Sequence, residues 1–106
     1  MTLTLPQLAQ KLNAIYPTAY SHFKSTQALP FICYLVISTD TFSADNTVLT
    51  ESIYVDIELY SATKNLAAEK KIKDMLKENE LPWSYDEIFI DAEGVFKCTF
   101  STKLIN

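Results

Sequence analysis

Few residues in this 106-residue chain have the types and spacing that could do chemistry. His22 is the only histidine, so any pairing of a nucleophile with an imidazole base would have to use it. Its neighbours in sequence are polar and aromatic, with no carboxylate beside it to orient the ring, and it reads as a surface or structural residue. Asp56 and Glu58 stand two residues apart. On a strand that spacing puts both carboxylates on one face, where such a pair can move protons or hold a hard cation. No third polar ligand accompanies them, so a solvated or subunit-facing surface is expected. Asp40, Asp45 and Asn46 lack the ligand spacing and the terminal Glu of an EF-hand loop. Cys33 and Cys98 lie in apolar, strand-like surroundings and read as free, buried thiols. Two cysteines and one histidine do not complete a structural zinc site without carboxylates. Gly94 is the only glycine, which excludes the glycine-rich loops that cradle phosphates. Trp83 and Tyr85 could stack on a ligand, but their strand setting points to packing in a core or an interface. The expectation is a protein with no catalytic, cofactor-binding or metal-binding residues.

Charge points the same way. Nine basic residues against 13 acidic ones leave a net charge of −4. Direct binding to nucleic acid rests on neutralising phosphates, and this balance disfavours it. The first residues, Met1-Thr-Leu-Thr-Leu-Pro, carry no basic region and no long apolar run, so no signal peptide is expected. Nor does any segment approach the about 20 apolar residues that span a bilayer. A cytoplasmic protein without a membrane role is expected.

The elements that must position these residues follow from periodicity. Ser52–Ser61 alternates cleanly: Ile53, Val55, Ile57 and Leu59 on one face, Tyr54, Asp56, Glu58 and Tyr60 on the other. This strand is expected at the centre of the sheet. Thr4 can cap a first helix that tolerates Pro6 in its first turn and ends near Tyr16, before Pro17. Leu8, Leu12 and Ile15 form its apolar stripe. Ala19–Lys24 reads as a short edge strand. Phe31–Ser38 is almost wholly apolar and reads as a strand buried on both sides. Thr39–Asn46 is polar and turn-rich, so the two strands make a long hairpin with an exposed tip.

Lys64–Asn79 reads as a second helix, with Ala68, Ile72, Met75 and Leu76 inward and Glu69–Lys73 and Lys70–Asp74 paired across one turn. Trp83–Asp91 and Val95–Ile105 form a second hairpin around Gly94, whose turn calls for a positive φ. Ile88 and Ile90 are the expected core residues of the first of these strands; Phe96, Cys98, Phe100 and Leu104 are those of the second. The result is one domain over residues 1–106. It is an α+β sandwich of two layers, with two helices on a mainly antiparallel sheet of four to five strands in the order α-(β)-β-β-α-β-β. On the face away from the helices, Tyr54, Tyr60, Trp83, Tyr85 and Phe89 would be exposed, and such material suits burial against another chain.

Several short stretches carry a resemblance. Ala19-Tyr20-Ser21-His22-Phe23-Lys24, Leu29-Pro30-Phe31, Asp40 through Phe42-Ser43-Ala44-Asp45-Asn46, and Ile57-Glu58-Leu59-Tyr60 follow one another in a pattern that resembles the small tail-completion proteins of long-tailed phages and prophages of Gram-positive bacteria. The helix at Lys64–Asn79 and the closing hairpin suit the same pattern.

The resemblance implies a structural role. Proteins of this kind are similar to tail terminators and head–tail joining proteins, which assemble as rings, often hexamers, on the head-proximal end of the tail. The implied partners are further copies of the chain, the tail-tube protein and the head connector, with DNA passing through unbound. The implied location is the host cytoplasm during assembly and the virion neck afterwards. Phe42, Ser43, Asp45, Asn46, Tyr54 and Tyr60 would make subunit contacts. Asp56 and Glu58, with Glu87 and Asp91, would form an acidic lumen over which DNA slides. A different class of reading stays open: a soluble adaptor that binds a protein or peptide along a sheet edge.

Overall fold

The computed structural model describes residues 3–44 and 48–105. Helix α1 spans Leu5–Asn13, strand β1 Thr18–Tyr20, β2 Phe31–Ala44, β3 Val48–Ser61, helix α2 Leu66–Glu78, β4 Trp83–Ile90 and β5 Val95–Ile105. The five strands form one sheet in the order β1-β2-β3-β5-β4, so β3 is the middle strand. β3 runs antiparallel to β2 and to β5, β4 runs antiparallel to β5, and β1 runs parallel to β2. The fold is therefore α+β, with a mixed, mostly antiparallel sheet.

Alternation dictates which face of β3 is dry. Val55, Ile57 and Leu59 are fully buried, and the register places Cys98 and Phe100 of β5 and Ile32 of β2 beside them. Leu8 and Leu12 of α1 and Ala68, Ile72, Met75 and Leu76 of α2 close over that face in one core cluster. Each such aliphatic or aromatic side chain contributes on the order of 1.5–3 kcal/mol by leaving water. Helix α1 starts where Thr4 accepts from the Gln7 amide at 3.3 Å while the Gln7 side chain accepts from the Thr4 amide at 2.9 Å. These reciprocal bonds satisfy two donors that the first turn cannot. Gly94 adopts φ +66° in the β4–β5 turn, as its position required.

Four expectations are corrected. Thr39–Ala44 is strand, not turn, because it pairs residue for residue with Val48–Ile53. The first edge strand covers Thr18–Tyr20 and stops at Ser21, whose φ of +67° ends the extended run. Trp83, Tyr85 and Phe89 lie on the helix side of the sheet: they pair with Thr102, Phe100 and Phe96, which share the face of the buried β5 residues. Ile88 and Ile90 consequently point the other way, and Ile88 is 44% exposed. The run Trp-Ser-Tyr-Asp-Glu-Ile-Phe-Ile carries apolar residues on both parities, so alternation alone leaves its facing undecided. Finally, Glu69 does not pair with Lys73; it is buried and bonded to Lys64 instead.

Candidate interaction surface

The sheet divides at a bulge. Pairing of β2 with β3 shifts by one residue between Val36 and Ser38, with Ile37 bulged out and 53% exposed. Below this point β2 has β1 alongside, through the pairs Thr18–Ile32 to Tyr20–Tyr34, and the Tyr20 hydroxyl accepts from the Val36 amide at 3.1 Å. Above it, β1 has ended. On the other side, β5 stops at the Ser52–Ile105 pair while β3 continues back to Val48. The distal parts of β2 and β3 thus leave the sheet as a two-stranded arm, and the molecule measures 51 × 26 × 22 Å.

Among the described residues, no strand lies against the outer edge of β2 from Ser38 to Ala44. The outer edge of β4, Trp83 to Ile90, is likewise open. Each such edge presents a row of backbone donors and acceptors with water as their partner. Phe42 and Ser43 fall in the arm, opposite Thr50 and Leu49. Asp45 and Asn46 lie outside the described residues.

Tyr54, Asp56, Glu58 and Tyr60 do line the sheet face opposite the helices, all half-buried. Their side chains are engaged. Ser101 donates to Asp56 at 2.6 Å, and Tyr60 donates to Glu58 at 3.0 Å while stacking on Phe31 at 4.9 Å. Lys97 lies 3.9 Å from Glu58, and Lys103 sits 6.0 Å from the Tyr54 ring centre. This face therefore carries both signs of charge. Glu87 is not on it, since its pairing with Cys98 puts it on the helix side. Burial and the Glu58 charge push the Tyr60 hydroxyl well above the usual tyrosine value and keep it neutral.

Glu87 belongs to a polar cluster behind β4 that periodicity does not reveal. Lys64, just before α2, donates to Glu87 at 2.7 Å and to Tyr85 at 2.9 Å, and lies 2.9 Å from Glu69. Tyr85 donates to Glu69 at 2.9 Å, and the Cys98 thiol lies 3.5 Å from the same carboxylate. Burial opposes the charge on Glu69, but bonds from Lys64, Tyr85 and Cys98 outweigh it and hold its carboxyl below the usual value. The Lys64 bond holds Glu87 down too, while bonds to Glu87, Tyr85 and Glu69 raise Lys64. Glu69, Glu87 and Cys98 bring three potential metal-ligand atoms within 4.8 Å of one another. The Lys64 ammonium already fills that position as an internal cation, so the cluster ties α2 to the edge strand β4.

His22 lies elsewhere, lining an open cavity of about 400 Å³ together with Phe31, Cys33, Tyr60 and Glu93. Its Nδ1 is 3.2 Å from Ser21 Oγ. Phe23 folds over Phe31 edge-on at 5.3 Å, which is why Cys33 is buried on the face away from the helices. Burial, then the Glu58 charge, pushes the Cys33 thiol up, away from the reactive thiolate. The described residues thus present open backbone edges, a two-stranded arm and a mixed-charge sheet face. Compared with protein-family models and with curated proteins, the chain matches none.

Proposed function

We propose that this chain is a structural protein that completes or terminates a phage or prophage tail and joins it to the head, acting as a ring of identical subunits. The arm beyond the bulge carries the reading. A two-stranded ribbon without a third layer is marginal in water on its own, so an arm of this length calls for a surface supplied by another chain. The resemblance of the Phe42–Asn46 and Ile57–Tyr60 stretches to tail-completion proteins points to what that assembly is. The partners proposed are further copies, the tail tube and the head connector; no bond is made or broken.

DNA would pass through the ring without specific contact. Asp56 and Glu58 are proposed to face the lumen, where Lys97 and Lys103 moderate their charge. Replacing both acids by lysine is expected to slow DNA passage and leave rings intact; unchanged infectivity would remove the lumen assignment.

The main test is assembly of tails with and without the protein, viewed by electron microscopy. Without it, overlength tubes lacking heads are expected. Tubes of normal length joined to heads in its absence would sink the reading. The open β4 edge also favours a second reading, an adaptor that adds a partner peptide as a sixth strand. Light scattering separates the two, because an adaptor stays monomeric until its peptide is added.

A further inference from the structure

We infer that the arm of one copy is the strand added to β4 of the next, so that the two open edges of this fold are each other's partner. This rests on the reading that the chain assembles with itself, and it names the contact.

The two edges match in length. The free stretch of β2 runs from Ser38 to Ala44, and β4 runs from Trp83 to Ile90. They also match in direction. β2, β3, β5 and β4 alternate in direction across the sheet, so β4 of one copy and β2 of a similarly oriented neighbour meet antiparallel. The four-stranded pattern then repeats from copy to copy without a reversal. Such a contact is heterologous, joining two different edges, and it closes into a ring when the rotation per copy allows.

Facing limits the register to every second residue. Thr39 and Thr41 share the helix side with Ile53, and Asp40 shares the opposite side with Ser52. On β4, Glu87 and Phe89 lie on the helix side and Ile88 on the other. Setting Thr41 against Glu87 and Asp40 against Ile88 keeps every residue on its own face and spans both edges. It also keeps Asp40 from sitting directly opposite Asp86. The Lys64 cluster ties the Tyr85 and Glu87 side chains to the helix side and leaves the outer backbone edge of β4 open.

The geometry has a consequence. β4 lies at the level of β2 residues Phe31–Val36, below the arm, so neighbours are offset along the strands by roughly eight residues, about 26 Å at ~3.3 Å per residue. Against a width of about 19 Å for four strands, that offset tilts the strands by roughly 54° from the ring axis, about 10° beyond the usual range of single-chain barrels.

The experiment is cysteine cross-linking in the full-length chain. Asp40→Cys and Ile88→Cys are placed together, both at exposed positions, and folding is checked by circular dichroism. Mild oxidation of the double variant is expected to give a ladder of reducible covalent oligomers ending at one closed species, while each single variant gives none. Thr39→Pro and Asp40→Pro add a second measurement. Successive amides point to opposite sides of a strand, so one of these two removes an outward donor and spares β3. The variant that keeps the native circular dichroism is expected to lose the oligomer. An oligomer by light scattering with no cross-link overturns the edge pairing and leaves self-assembly standing. No cross-link and no oligomer overturns both.

Discussion

The sheet has two regions built from the same two strands. Below the bulge, β2 and β3 are covered by helices on one face and flanked by β1 and β5; above it β2 has no outer neighbour, and beyond the Ser52–Ile105 pair the two strands run on as a ribbon of their own. In the lower region Val55, Ile57 and Leu59 are fully buried, whereas the arm residues Ser38, Thr39, Asp40 and Thr41 are exposed. One region satisfies its own hydrophobic and hydrogen-bonding demands. The other leaves the outer edge of β2 open among the described residues, and the proposed contact between copies would fall there.

The sharpest way to break this comparison is mutational. Phe100 is fully buried beneath α2, and Phe100→Ala is expected to cost about 3–5 kcal/mol. Thr41→Ala on the arm is expected to cost within about 0.5 kcal/mol. Urea unfolding midpoints measure both. An arm substitution as costly as the core one would mean that the arm is part of the cooperative fold and needs no second chain.

The Lys64 cluster sharpens the contrast at the other edge, because there a polar group is buried yet satisfied. Lys64→Met removes the ammonium and leaves Glu69 charged and almost fully buried, with only Tyr85 and Cys98 as donors. A loss of about 1–3 kcal/mol is expected, less than for a fully buried pair because Lys64 itself is 41% exposed. Tyr85 and Lys73 would also lose order, since the Lys73 ammonium sits 5.2 Å from the Tyr85 ring centre in a stack that Lys64 completes. Unchanged stability would show that the cluster is only a surface decoration of β4.

The acid limb of stability tests the same cluster. Glu69 and Glu87 have folded-state values below those of the unfolded chain, so their contribution is full above the ordinary carboxylate range near 4.3. It is lost as pH falls through the lowered folded values. Tyr85 and Lys64 are raised, so their contribution is full below their ordinary values near 10 and declines as pH climbs past them. Thermal unfolding is therefore expected to be flat between about pH 5 and 9 and to weaken on both sides. Glu69→Gln is expected to flatten the acid limb; an acid limb unchanged in that variant would assign it to other carboxylates.

These contrasts also explain what the sequence could tell. The central strand, both helices and the closing hairpin are legible because each has one dry side, and a single dry side imposes a period of 2 or 3.6. Thr39–Ala44 is not, because its sequence shows no hydrophobic alternation and its Ser, Thr and Asp read as turn. The facing of β4 is ambiguous for the opposite reason, since Trp83, Tyr85 and Phe89 on one side compete with Ile88 and Ile90 on the other. Glu69 hides more completely. It looks like any helical glutamate with a lysine four residues on, and only the approach of Lys64 and Tyr85 from outside the helix shows that it faces inward. The candidate contact residues split in the same way: the face of Tyr54, Asp56, Glu58 and Tyr60 follows from alternation, whereas the open edges depend on where β1 and β5 stop.

The smallest expected effect lies at the end of α2, between its covered face and the receiving edge. The helix closes with the Leu81 amide bonded to the Leu76 carbonyl at 2.9 Å and the Glu80 amide to the Lys77 carbonyl at 3.0 Å. This pair of bonds defines a Schellman closure, and it requires a left-handed residue at position 80. Glu80 supplies it at φ +57°, a conformation that glycine adopts without a Cβ clash. The closure sends Leu81 into the core, where it is 2% exposed, and so aims Pro82 and Trp83 into β4. Glu80→Gly relieves the backbone but gives the unfolded chain more freedom, so the net gain is expected to be only about 0.5 kcal/mol. A gain in urea midpoint without a change in the oligomer would show that the turn sets stability and leaves the receiving edge where it was. A loss of the oligomer in this better-folded variant would mean instead that the strain at Glu80 helps hold β4 at the angle its neighbour needs.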